Sequence, residues 1–268
     1  MTVIVQISDS HLVAGGAPAL GRVDTIDALR RTVAHLHRLA AMTGGIDAAV
    51  VTGDLTDLGE PEAYALFAET VRDLPFPLHA IPGNHDRREP MRAALPGLPA
   101  EGPLDQVADV GPLTLVLLDD LVEGAQHGAL SPAQLAWLDG VLEARRARPV
   151  LLFLHHPPFA TGIAHMDSSA LREPGGLEGV VARHPQVRLV ACGHVHRMIA
   201  TQWGGVPCIT APGPSHAVTL DLRSGAPATF TLEPGGVVVH RWDGRHLVSH
   251  LSPIDPAPGP WRFDGRDG

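Results

Sequence analysis

Six short apolar runs, at residues 3–7, 48–52, 78–81, 113–118, 150–154 and 187–192, each stop at turn residues or at a polar cluster. Runs of this length, rich in Val, Ile and Leu, read as buried strands. Between several of them lie helical patterns at 25–41, 62–73, 132–146 and 177–184. The third opens on Ser131 as N-cap with Pro132 at the first helical position. Alternation of strand and helix specifies an α/β architecture. After Cys192 the helical pattern stops. Strand-like runs at 198–202, 206–209, 217–222, 228–232, 237–242 and 246–251, divided by Gly, Pro and Asp turns, read as a meander.

No linker separates the two halves, and 268 residues with 44% apolar content can bury one large core. The expectation is one domain over residues 1–252, with two sheets packed face to face and helices outside. A Pro- and Gly-rich tail over residues 253–268 follows, either loose or lying as an arm on a neighbouring subunit.

Polar clusters sit where the strands end: Asp9-Ser10-His11, Gly53-Asp54, Gly83-Asn84-His85-Asp86, His155-His156-Pro157 and Gly193-His194-Val195-His196. Loops beyond the carboxyl ends of strands are where open α/β sheets bind ligands, so these five clusters are expected to meet in one crevice. Their side chains are hard and borderline metal ligands, with no thiolate among them. The net charge of −9 and the absence of a Lys/Arg run argue against a nucleic-acid polymer as partner. An acidic chain attracts a phosphate ester only through concentrated local positive charge, which bound divalent cations would supply.

Cys192 and Cys208 are too few for a disulfide framework, and with their apolar flanks they read as buried thiols, with a single bridge between them as the alternative. The first residues lack the basic segment and cleavage site of a signal peptide. No apolar run reaches the roughly 18 residues of a membrane span. The expectations are a cytoplasmic location and no membrane partner.

The five blocks, in this order from residue 9 to residue 196, resemble the calcineurin-like metallophosphoesterases. The likeness continues through Thr210-Ala211-Pro212, His216, Leu220-Asp221 and Glu233-Pro234 to His240-Arg241-Trp242. That longer pattern is similar to the bacterial branch of class III cyclic-nucleotide phosphodiesterases and glycerophosphodiesterases. The resemblance implies the metallo-dependent phosphatase fold, a four-layer αββα sandwich of two mixed β-sheets flanked by helices. It implies two metal ions, Mn, Fe or Zn. One is held by Asp9, His11, Asp54 and His196, the other by Asp54, Asn84, His155 and His194, with Asp54 bridging. A metal-bridging hydroxide would then attack phosphorus, and His85 would serve the leaving group.

Asp86 either orients His85 or caps its loop. His156 reads as a loop residue beside Pro157 and Pro158. His165, Asp167 and His216 are candidate substrate contacts, though their segments are equally compatible with plain surface loops. Where related sequences commonly have Ser-Thr after the proline equivalent to Pro212, this chain has Gly213-Pro214-Ser215. The expected activity is hydrolysis of small phosphodiesters such as 3′,5′-cyclic nucleotides. The alternatives are a phosphomonoesterase with the same centre and a non-catalytic scaffold of the same fold. The resemblance also makes a homodimer an expectation.

Overall fold

The computed structural model describes residues 1–264. In chain order its elements are β1 (Thr2–Ile7), α1 (Thr25–Thr43), β2 (Ala48–Thr52), α2 (Pro61–Val71), β3 (Leu78–Ile81), α3 (Arg88–Ala94), β4 (Gln106–Val110) and β5 (Leu113–Leu117). There follow α4 (Pro132–Glu143), β6 (Val150–Phe153), α5 (Ala164–Asp167), α6 (Gly175–Arg183), β7 (Val187–Cys192), β8 (Ala200–Trp203), β9 (Val206–Thr210), β10 (Ala217–Val218), β11 (Phe230–Thr231), β12 (Gly236–Trp242) and β13 (Leu247–Pro253). Two mixed sheets carry most of the strands, in the orders β13-β12-β1-β2-β3 and β4-β5-β6-β7-β9-β8.

Three apolar layers account for the sandwich. Val3, Val5 and Ile7 of β1 pack under Leu29 and Leu36 of α1 and Phe67 of α2. Ile4 of the same strand faces the other way, against Phe153 and Leu115 between the sheets. Beyond the second sheet, Val116, Leu152 and Val190 meet Leu138 of α4 and Val180 of α6. Alternate side chains of a strand point to opposite faces, so strands apolar on both faces need cover on both. The four-layer αββα arrangement supplies it.

The predicted cap of α4 is present: Ser131 Oγ accepts from Gln134 N while the Gln134 side chain reaches back to Ser131 N. Three elements escaped the periodicity, the single-turn α5 among them. In α3, Pro90 looks like a breaker, yet it lies in the first turn, where its missing N–H costs no helical bond. β4 is a half-buried edge strand without clean alternation.

The C-terminal third is not a single meander. The β8–β9 hairpin extends the second sheet from β7, β10 and β11 form a small separate sheet, and the β12–β13 hairpin joins the first sheet through β1. Local patterning specifies a strand but not its partner, and β12 pairs with a strand at the other end of the chain, Ile4 opposite His240. β13 runs through Pro253, Ile254 is 1% exposed in the core beside α1, and Asp255 pairs with Arg31. The last four residues of the expected tail, 265–268, lie outside the described residues.

Candidate metal centre

β1, β2 and β3 run parallel in one sheet, and β6 and β7 run parallel in the other. The loops that follow them therefore emerge along one edge of the sandwich. Asp9 N donates to the Gly53 carbonyl at 3.0 Å and His11 N to the Asp54 carbonyl at 2.9 Å, so the first two loops continue side by side. His194 N donates to Asp9 Oδ1 at 3.0 Å and His85 N to Asp54 Oδ1 at 2.9 Å. Backbone amides thus tie each loop to its neighbour's carboxylate.

Asp9, His11, Asp54, His194 and His196 all have left-handed backbone, with φ between 45° and 70°. Non-glycine residues seldom adopt that region, and such strain gathers at functional sites. Gly53, with φ of 95°, is needed for space as well, because a Cβ there would lie 2.3 Å from His155 Nδ1.

Asp9, His11, Asp54 and His196 bring one donor atom each within 4.8 Å of one another, all buried. His11 and His196 hold their Nε2 atoms 3.0 Å apart. On the other side of Asp54, whose Oδ2 lies 3.5 Å from His11 Nε2 and 3.3 Å from His155 Nε2, stand His155, Asn84 and His194. Asn84 Oδ1 is 3.2 Å from His155 Nε2. The rings of His155 and His194 are 5.1 Å apart.

Several groups hold these side chains in orientation. Asp57 Oδ1 is 3.1 Å from His11 Nδ1, and the Thr52 carbonyl is 2.7 Å from His155 Nδ1. Each leaves Nε2 facing the cluster, the arrangement by which carboxylates and carbonyls orient metal-binding histidines. Gln126 Oε1 accepts from Asn84 Nδ2 at 3.2 Å, which turns Asn84 Oδ1 inward. His156, read from the sequence as a loop residue, is fully buried with Nδ1 on Asp120 and Nε2 on the Gln126 carbonyl. Both its nitrogens are occupied. Asp57, Gln126 and Asp120 escaped the sequence reading; the repeated aspartate of Gly53-Asp54-Leu55-Thr56-Asp57 was the one visible signal.

Asp86 accepts from Leu55 N, Thr56 N, Gly83 N and the Tyr64 hydroxyl. It caps its loop and does not orient His85. His85 Nδ1 instead meets the Asp57 carbonyl at 2.8 Å, leaving Nε2 for the cavity. A cavity of about 400 Å³ opens over the cluster, and His165 and His216 line it. Asp167 stands apart: its carboxylate is taken by Thr161 and Gly162.

Burial places unusual demands on these charges. Burial, reinforced by neighbouring imidazoles, holds His194 and His196 well below the ordinary histidine range, in the neutral form that ligates metal. Burial also pushes the Asp9 carboxyl up to about 6. It would raise Asp54 too, but His155 and His11 hold that carboxyl well below the usual range. Asp9 Oδ2 is buried with no hydrogen-bond partner. Two adjacent buried carboxylates, an orphaned oxygen and convergent imidazole nitrogens are the donor set of a hard or borderline cation.

The calcineurin-like phosphoesterase profile matches residues 2–198. The chain belongs to this family. It is 38% identical over 273 residues to the protein named probable glycerophosphodiester phosphodiesterase of Arcobacter nitrofigilis, covering 99% of this chain and 98% of that one. It is 34% identical over 260 residues to the 3′,5′-cyclic adenosine monophosphate phosphodiesterase of Pseudomonas aeruginosa, covering 94% and 90%. A dimetal phosphatase from Danio rerio shares the fold at 16% identity, with a TM-score of 0.70 over 95% of this chain and 96% of that one. The chain is a dinuclear metal-dependent phosphoester hydrolase with the metallo-dependent phosphatase fold. Among the described residues no helix is long and apolar enough to cross a membrane.

Proposed function

We propose that this calcineurin-like phosphoesterase hydrolyses small phosphodiesters, 3′,5′-cyclic nucleotides among them. Asp9, His11, Asp54 and His196 would hold one metal ion, and Asp54, Asn84, His155 and His194 the other. His156 stands close enough to His155 and His194 to share an ion with them, but its two nitrogens meet Asp120 and the Gln126 carbonyl, which supports leaving it out of the ligand set. Donors of this kind suit Mn, Fe or Zn. When bound, the two ions supply a hydroxide nucleophile at neutral pH and positive charge for the phosphoryl oxygens.

The protein's own groups divide the remaining work. Asp54 lies between the two donor sets and joins them. Asn84 lines one side of the cavity in which the substrate would sit. His85, held through Nδ1 by the Asp57 carbonyl, presents Nε2 to the leaving oxygen and delivers a proton as the P–O bond breaks. An alkoxide is a poor leaving group, so this proton matters most for esters of ordinary alcohols.

The observation that carries the diester reading is the cavity's charge. Among the described residues no arginine lines it, and the chain contains no lysine. Beyond the ions, a substrate meets imidazoles, amides, hydroxyls, the carboxylates of Asp54 and Asp57, and apolar side chains such as Leu20, Met166 and Val218. A diester monoanion suits that lining, whereas a monoester brings a second negative charge that no guanidinium meets. The names of the relatives, cyclic-nucleotide and glycerophosphodiester phosphodiesterases, support the same choice.

The test compares bis(4-nitrophenyl) phosphate, 3′,5′-cyclic AMP and 4-nitrophenyl phosphate on metal-stripped protein, before and after adding Mn²⁺, with Asp54→Ala as control. Mn²⁺-restored turnover of the two diesters, above that of the monoester and absent from the control, is expected. A preference for the monoester would replace the proposal with a phosphomonoesterase.

A further inference from the structure

Three polar side chains occupy the apolar layer between the sheets. On β1, β2 and β12 the residues facing that layer are Ile4, Ala48 with Val50, and Val238. Strand alternation places Gln6, Thr52 and His240 on the same face, and each is 0% exposed. A leucine or valine there would carry no desolvation cost, so three buried polar groups call for a reason.

Their hydrogen bonds form one connected seam. Gln6 Nε2 donates to Thr52 Oγ1 at 3.0 Å and to the Cys192 carbonyl at 2.9 Å. With both amide hydrogens spent, Gln6 Oε1 must accept, and His240 Nε2 stands 3.3 Å from it. His240 Nδ1 then accepts from the Ser249 hydroxyl at 2.9 Å. Burial keeps the His240 ring neutral, its pKa lowered to about 3. At the other end, Thr52 Oγ1 donates to Ser8 Oγ at 2.8 Å, and Ser8 Oγ to the Thr52 carbonyl at 3.2 Å. That carbonyl accepts from His155 Nδ1. Ser8 also packs against the Gly193 turn so closely that a Cβ on Gly193 would lie 2.0 Å from its hydroxyl.

We infer that Gln6, held in place by His240, is a positioning residue that sets the spacing of the strand ends carrying Asp9, Asp54 and His194. Its amide spans β1, β2 and β7 one residue pair below the loops from which those three side chains emerge. An apolar side chain could fill the volume but could not tie the Thr52 hydroxyl and the Cys192 carbonyl to a common point. The inference rests on the cluster being a metal centre, and its effect is on metal affinity and on the distance between the two ions.

The experiment titrates chelator-stripped protein with Mn²⁺ by calorimetry, using wild type, Gln6→Met, His240→Leu and His240→Gln, each checked for fold by circular dichroism. Electron paramagnetic resonance of the Mn²⁺-loaded proteins then reports exchange coupling between the ions, which a general loss of stability would not alter. Gln6→Met is expected to weaken Mn²⁺ binding by about 10–100-fold, the range for residues that orient ligands from behind, and to change the coupling. His240→Leu should move both readouts in the same direction, and His240→Gln, whose amide keeps a donor toward Gln6, should return them toward wild type. Should Gln6→Met not fold, the two His240 variants decide. Wild-type affinity and coupling in folded Gln6→Met and His240→Leu would overturn the inference, whereas failure of the wild type to bind two ions would overturn the metal centre itself.

Discussion

Asp57 serves His11 and His85 with different atoms: its carboxylate lies 3.1 Å from His11 Nδ1, and its backbone carbonyl lies 2.8 Å from His85 Nδ1. One residue therefore aims a metal-binding imidazole and the imidazole assigned to the leaving group. A side-chain substitution removes the carboxylate, which also lies 3.7 Å from His85 Nδ1, and leaves the shorter carbonyl contact to His85 in place.

Asp57→Ala is expected to weaken metal binding by about 10–100-fold through loss of His11 orientation. Calorimetric Mn²⁺ titration measures this, and turnover at saturating Mn²⁺ should recover much of its wild-type value. An unchanged Mn²⁺ affinity would remove Asp57 from the support of the centre.

His85→Ala should retain both ions, measured by plasma mass spectrometry of the loaded protein. Turnover should fall by about 10²–10⁴-fold for esters of alkyl alcohols, the range for a positioned acid, and much less for 4-nitrophenyl esters, whose leaving group needs no proton. Equal losses across leaving groups of different pKa would exclude proton donation by His85.

Asp86→Ala tests the loop cap. Removing this carboxylate strands Leu55 N, Thr56 N and Gly83 N, while the Tyr64 hydroxyl keeps its contacts to the Arg87 backbone. At about 1–3 kcal/mol for each unsatisfied buried group, partly relieved by water, the loss should reach roughly 3 kcal/mol or more. Urea unfolding of the metal-free protein measures it; a loss below about 1 kcal/mol would mean the loop is held by other contacts.

Stability should fall in acid partly through His240. Its folded pKa of about 3 lies below the ordinary histidine value of 6.5. Between those values the unfolded chain takes up a proton that the folded one refuses, so this contribution is present in full above pH 6.5. It declines as pH falls toward 3, by up to about 1.4 kcal/mol per pH unit. Urea midpoints at pH 7 and pH 5 should therefore differ less in His240→Gln than in wild type, and equal differences would show that His240 contributes nothing to acid sensitivity.

The α/β alternation, the strand ends and the cap of α4 were legible because each depends on residues near one another in the chain: apolar runs of strand length, and Ser131 three residues before Gln134. The candidate ligands were legible for a related reason. A metal centre draws on few residue types, and Asp9, His11, Asp54, Asn84, His155, His194 and His196 stand at the ends of recognisable strands in a recognisable order.

Tertiary packing decided the rest. Asp57 on His11, Gln126 on Asn84 and Asp120 on His156 join residues 46, 42 and 36 positions apart, across loops whose approach no local pattern encodes. The left-handed backbone at Asp9, His11, Asp54, His194 and His196 is likewise invisible in residue type, since local preference disfavours it and only the surrounding hydrogen bonds impose it. The amino-acid sequence alone placed metal-ligand residue types at the strand ends, and the resemblance of their order to the calcineurin-like phosphoesterases implied the activity. Which imidazole nitrogen faces inward, which aspartate caps a loop, and how β12 comes to lie beside β1 were settled only when distant segments packed, because a hydrogen bond's partner is fixed by position in space and not by distance along the chain.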